Sequence, residues 1–162
     1  MLQGEIDTAM LINSIWLKCC PGYDSTSTFQ DLKVYVGLSD LDQLTTNFLE
    51  NYIPGTRTMV AGGSPYTISA SQDEWFEIPF SQAYSYNGVD NLLLEFEWST
   101  GTRSIYDWQW DAGPQRALFS GNYDSFPEGD YFEILIPNLL LDGSVGLDEA
   151  ALGAIKPGTA EE

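Results

Sequence analysis

Asn91-Leu92-Leu93-Leu94-Glu95-Phe96-Glu97-Trp98 alternates. In an extended chain successive side chains point to opposite faces. Leu92, Leu94, Phe96 and Trp98 then share one face, with Glu95 and Glu97 on the other. That period predicts a half-buried antiparallel strand whose acids face water. The same device recurs on both sides. Asp130-Tyr131-Phe132-Glu133-Ile134-Leu135-Ile136 sets Phe132, Ile134 and Ile136 together. Trp75-Phe76-Glu77-Ile78-Pro79-Phe80 does so with Phe76, Ile78 and Phe80, and Asp31 to Gly37 with Leu32, Val34 and Val36. Leu11 to Cys19 places Leu11, Ile15, Leu17 and Cys19 on one face.

Weaker strands fit Arg57 to Ala61, Tyr66 to Ser69, Ile105 to Trp110 and Arg116 to Ser120. Between the strands lie turn signals: Pro21-Gly22, Pro54-Gly55, Gly62-Gly63, Asn87-Gly88, Gly113-Pro114 and Pro127-Glu128-Gly129. Asn87-Gly88 has the chemistry of a type I′ turn, and Asn91 is placed to tie that loop to the next strand. Short strands so punctuated predict an all-β fold, an antiparallel β-sandwich or jelly roll. One segment breaks the period. Leu41, Leu44 and Phe48 fall at helical spacing behind Ser39 or Asp40 as a cap. One short helix is expected over Asp40–Leu49, lying on an open end of the sandwich.

The 162 residues fit one domain with a full core. Residues 1–141 are expected to form it. Leu139 to Leu141 reads as a last short strand, and 142–162 as an acidic linker rich in Gly, Pro and Ala. The 24 acidic and 6 basic residues give a net charge of -18. Such a field repels phosphate backbones and anionic lipid, so nucleic acid and membrane surfaces are unsuitable partners. No apolar stretch is long enough to span a bilayer. No basic segment followed by an apolar one marks a signal peptide. Cys19 and Cys20 are adjacent, which disfavours a bond between them. Cys19 reads as a small buried hydrophobe, and Cys20 as lying near the strand's end.

The chain has no histidine, so neither a Ser-His-Asp nor a Cys-His arrangement can form. Paired carboxylates remain, as a glycosidase would use them. Glu95 and Glu97 are such a pair, but their alternation predicts a solvated face. No resident cofactor is expected; Ca²⁺ is the one candidate. Asp124, Glu128 and Asp130 are its leading ligands, with Asp107 and Asp111, and Asn87, Asp90 and Asn91, as other oxygen-rich loops. Turn chemistry explains the same residues. Aromatics offer the clearest binding signal. Tyr106, Trp108 and Trp110 share a strand face, where a packed core is the competing explanation. Trp16 and Trp75 each stand opposite their strand's apolar set. Exposed, they would form a platform for a sugar ring.

Two stretches resemble a known module type. Phe29-Gln30-Asp31-Leu32-Lys33-Val34-Tyr35-Val36-Gly37-Leu38-Ser39 leads into Leu44-Thr45-Thr46-Asn47-Phe48 and Asn51. Later come Trp75 to Phe80 and Tyr84-Ser85-Tyr86-Asn87-Gly88-Val89-Asp90-Asn91-Leu92-Leu93-Leu94-Glu95. Together, over Ile12 to Trp98, they resemble the jelly-roll-like β-sandwich modules of large bacterial secreted and cell-surface proteins. Those modules sit beside fibronectin-type or PKD-type domains, often ahead of a type IX-like sorting domain. The tail from Val145 is similar to the acidic linker before such a sorting domain. The module's usual opening strand, ahead of Ile12, is expected to be clipped here.

The resemblance implies an extracellular or cell-surface location and neighbouring domains in the same polypeptide. It implies a non-catalytic structural or adhesive role and says nothing of a ligand; the aromatics make a glycan or cell-surface polymer the candidate partner. A carbohydrate-binding module serving an enzyme is the second expectation, and a carboxylate-dependent glycoside hydrolase the third.

Overall fold

A computed structural model describes residues 6, 8–19, 25–101, 110–119, 131–137 and 139–145. These residues form an all-β, antiparallel structure. The strands are β1 (Met10–Lys18), β2 (Ser25–Gln30), β3 (Leu32–Ser39), β4 (Thr58–Gly63), β5 (Tyr66–Ala70), β6 (Trp75–Tyr86), β7 (Asn91–Glu97), β8 (Thr100–Gly101), β9 (Trp110–Phe119), β10 (Tyr131–Pro137) and β11 (Leu139–Val145). They pair as β11-β1-β6, β4-β3-β7, β5-β2-β8 and β10-β9.

The second and third sheets are joined strand by strand. β4 runs into β5, β2 into β3, and β7 into β8, in the same lateral order. The breaks fall side by side, because Gln30 pairs with Thr100 and Lys33 with Glu97, while Phe29 pairs with Tyr66 and Leu32 with Gly63. Asp31 turns the central strand through the left-handed region, at φ 54°, which Asp tolerates better than most residues. Ser99 stitches the line: its hydroxyl donates to Asp31 Oδ2 at 2.9 Å, and its backbone N–H to Gln30 O at 3.0 Å.

One core serves the three three-stranded sheets. Ile12, Ile15, Leu17, Phe76 and Ile78 enter from β1 and β6. Val34, Val36, Val60 and Leu92 enter from β3, β4 and β7, and Phe29 and Ile68 from β2 and β5. Each fully buried aliphatic side chain contributes about 1.5–3 kcal/mol relative to exposure. Leu32, Val34, Val36, Phe76, Ile78 and Cys19 are buried as their alternation predicts. Leu94, Phe96 and Trp98 pack against the core only in part, and Trp98 meets Phe29 edge to face at 5.6 Å.

Several expectations need correction. Leu11 is 41 % exposed, and Ile12 is fully buried in its place. Between Ile12 and Ser14 the register of β1 shifts against both neighbours. A bulge inserts one residue and reverses which parity faces inward. Opposite it, β6 carries the extra residues 80–83, and two of their side chains reach β4. Ser81 Oγ donates to Val60 O and Gln82 Nε2 to Met59 O, each at 2.9 Å.

No helix forms over Asp40–Leu49, and one 3₁₀ turn follows at Leu49–Asn51. Short polar side chains take the backbone groups a helix would need. Ser39 Oγ accepts from Leu41 N, Asn51 Oδ1 from Thr45 N, and Asn47 Oδ1 from Leu49 N and Glu50 N.

Asn87-Gly88 joins β6 and β7, which lie in different sheets, so no two-residue hairpin exists there. Gly88 alone has positive φ, and a Cβ on it would collide with the Ala9 backbone. Asn87 instead bonds the loop, accepting from Val89 N and Asp90 N and donating to Asp90 Oδ2. Asn91 does anchor its strand, but its Nδ2 donates across to Leu41 O at 2.8 Å. Gly113 and Pro114 lie within β9, at a register shift rather than a turn. β2 escaped the sequence reading. β11 continues through Val145, paired with β1 as far as Met10.

Candidate functional site

The outer face of β11-β1-β6 carries two of the tryptophans singled out in the sequence. Beyond the bulge Ile15, Leu17 and Cys19 face the core, so Trp16 and Lys18 face away from it. On β6, Phe76 and Ile78 face the core, so Trp75 and Glu77 face out. The register then fixes who meets whom. Trp16 stands opposite Glu77, and Lys18 opposite Trp75. On the other side Trp16 stands opposite Leu140, which is exposed. The four residues of β1 and β6 form a checkerboard with the indoles on one diagonal and the charges on the other. Diagonal neighbours of this kind lie about 7–8 Å apart.

The polar groups of this patch are left over by the fold. Trp75 is 37 % exposed and Trp16 half-buried. Neither indole N–H, the Lys18 ammonium nor the Glu77 carboxylate makes a hydrogen bond or ion pair with another described residue. An indole N–H withdrawn from water ordinarily finds an acceptor. Tyr66, half-buried on β5, has its phenol pushed above its ordinary value by burial and then by the Glu77 carboxylate.

The acidic pair expected on a solvated face is not solvated. Glu95 is 7 % exposed. Arg57 Nη2 donates to Glu95 Oε1 at 2.7 Å and to Glu97 Oε1 at 2.6 Å, and Arg57 Nε donates to Glu95 Oε2 at 3.1 Å. The Tyr52 hydroxyl donates to Glu95 Oε2 at 2.7 Å, and Lys33 Nζ reaches Glu97 Oε2 at 3.4 Å. The guanidinium lies 3.5 Å above the Tyr35 ring, a cation–π contact. Tyr52 arrives from the segment between β3 and β4 and lies over Gly37, where a Cβ would run into its ring. Through Tyr52 that segment covers part of the outer face of β4-β3-β7.

Gly37→Ala is expected to push Tyr52 off Glu95 and cost about 1–3 kcal/mol in a urea melt.

The two carboxyls titrate in opposite senses. Burial raises Glu95, but hydrogen bonds from Arg57 and Tyr52 outweigh it and hold the carboxyl below its ordinary value. Burial, then the neighbouring Glu95, raises Glu97. A lowered carboxyl stabilises the fold above its unfolded pKa, and that is lost as pH falls through the folded value. A raised one favours the fold below its unfolded pKa and costs stability as pH rises through the folded value. Glu97→Gln is therefore expected to raise the urea midpoint at neutral pH. The gain should vanish below the ordinary glutamate value near 4.5. A midpoint lowered by Glu97→Gln at neutral pH would show that Glu97 is held ionised instead.

Most of the remaining sequence candidates lie outside the described residues. Trp110 opens β9 opposite Pro137, while Tyr106 and Trp108 lie outside the described residues. So do the calcium candidates Asp124, Glu128 and Asp130, together with Asp107 and Cys20. Among the described residues no group of three or more Cys, Asp and Glu side chains is placed to hold a metal ion. No helix there is long and apolar enough to cross a membrane. Lys18 and Glu77 were not singled out in the sequence. Their signal is their position, two residues from a tryptophan of the same parity.

The described chain is an antiparallel all-β protein with one aromatic outer face. Compared with known proteins, it matches no family model, no curated protein and no solved structure.

Proposed function

We propose that the chain is a non-catalytic, adhesive β-sandwich module of a larger exported, cell-surface polypeptide, and that it binds glycan through the outer face of β11-β1-β6. One observation carries the reading. Trp16 and Trp75, from different strands, lie side by side on that face with indole N–H groups that no other described residue accepts. Indole faces pack on the C–H face of a pyranose, and their N–H groups can meet its hydroxyls. The sequence resemblance to modules of secreted bacterial proteins supports the location.

The glycosidase alternative finds less support. Glu95 and Glu97 bind the same Arg57 nitrogen, so a guanidinium fills the space where a sugar would sit between two catalytic carboxyls.

The test is a glycan-array screen of the 162-residue chain beside its Trp75→Ala variant. Binding that falls about tenfold or more in the variant is expected, since one stacked indole contributes on the order of 1.4 kcal/mol. The folding midpoint should stay within about 0.5 kcal/mol of the parent, as for other surface changes. Binding that survives in full would place the glycan elsewhere.

A further inference from the structure

The geometry points to an uncharged, hydroxyl-rich polysaccharide as the polymer bound on this face, with Lys18 and Glu77 as the residues that select it. This rests on the glycan-binding reading above and deepens it. Each diagonal of the checkerboard supplies a different chemistry. Trp16 and Trp75 offer two apolar surfaces and two N–H donors, rooted at strand positions about 7–8 Å apart, which suits a chain of sugar units. Lys18 and Glu77 offer an ammonium donor and a carboxylate acceptor on the other diagonal. No salt bridge joins either of them to another described residue, so each keeps its full hydrogen-bonding capacity for a partner. A sugar hydroxyl both donates and accepts, so it can satisfy a mixed pair of this kind. A carboxylate or sulfate on the polymer could only accept, and Glu77 would then face a like charge.

The wider field acts in the same direction. The chain carries a net charge of -18, and such a field lowers the local concentration of a polyanion. Within the patch the charges are balanced, one Lys against one Glu, with exposed Asp142 nearby on β11. Among the described residues of the patch an anionic polymer would meet one cation, Lys18, beside Glu77 and Asp142. A polymer bearing amines would be drawn by the overall charge yet repelled by Lys18 at the point of contact. A neutral chain encounters neither cost, and the aromatic surface supplies the attraction.

Affinity electrophoresis of the 162-residue chain tests this with two polymers that share a backbone, hydroxyethylcellulose and carboxymethylcellulose, and with a neutral mannan and laminarin beside them. At least one neutral polymer is expected to retard the chain, and carboxymethylcellulose is not. In about 1 M NaCl the screening length falls to about 3 Å, and the discrimination should shrink while neutral binding persists. Lys18→Gln and Glu77→Gln should each weaken neutral binding roughly fivefold, the equivalent of about one hydrogen bond. The melting midpoint of either variant should not move.

Equal or stronger retardation by carboxymethylcellulose overturns the inference and leaves the glycan reading standing. Retardation by no polymer, neutral or charged, overturns both. Size-exclusion chromatography with light scattering completes the test. A dimer that Trp75→Ala dissolves would make the face a self-association surface, and the inference would be wrong.

Discussion

Ile12→Ala is expected to lower stability by about 2–5 kcal/mol, the cost of truncating a fully buried aliphatic side chain. Leu11→Ala, one residue earlier, should stay within about 0.5 kcal/mol. Ile12 is wholly enclosed by the core and Leu11 is 41 % exposed. The contrast depends on the bulge between Ile12 and Ser14. A strand of unbroken alternation, with Ile15, Leu17 and Cys19 inward, would reverse the two results. Urea melts of both variants, with m-values compared, separate the cases, and equal losses would mean that the bulge is misplaced.

Glu95→Ala should cost about 3 kcal/mol, the lower end for breaking a buried ion pair. Its loss strips Arg57 of two hydrogen bonds and the Tyr52 hydroxyl of its acceptor. Glu97 stays to hold Arg57 at one point, which keeps the loss from being larger. Glu97→Ala should cost less, because Glu97 shares Arg57 with Glu95 and, among the described residues, its other ion-pair partner is the half-exposed Lys33. A double-mutant cycle with Arg57→Ala gives the coupling. A negligible coupling energy would mean that the pair is exposed in solution.

The fold class was legible in the sequence because period-two alternation is a local property of each strand. Leu32, Val34 and Val36 on β3, and Phe76 and Ile78 on β6, needed nothing beyond it. Two of the errors share one origin, in groups whose partners lie far along the chain. Leu11 was misplaced because a bulge is an adjustment to the neighbouring strands and leaves little trace in β1 alone. Glu95 was read as solvated because Arg57 and Tyr52, which bury it, are 38 and 43 residues away. The helix over Asp40–Leu49 failed because Leu41, Leu44 and Phe48 have the right spacing while Ser39, Asn47 and Asn51 take the backbone bonds. Trp16 and Trp75 could be flagged individually by parity. That they adjoin each other, with Lys18 and Glu77 between them, follows only from the pairing of β1 with β6.

Proton–nitrogen correlation spectra of the indole groups give the clearest test of the aromatic face as the binding surface. The chain has five tryptophans, so five indole N–H signals are expected. Trp16→Phe and Trp75→Phe assign two of them. The chain is titrated with short oligosaccharides of whichever neutral polysaccharide retards it most. The Trp16 and Trp75 signals are expected to move downfield together and saturate at one dissociation constant, with the backbone amides of Lys18, Glu77 and Leu140 following. Saturating shifts at other tryptophans, with Trp16 and Trp75 unmoved, would contradict the account.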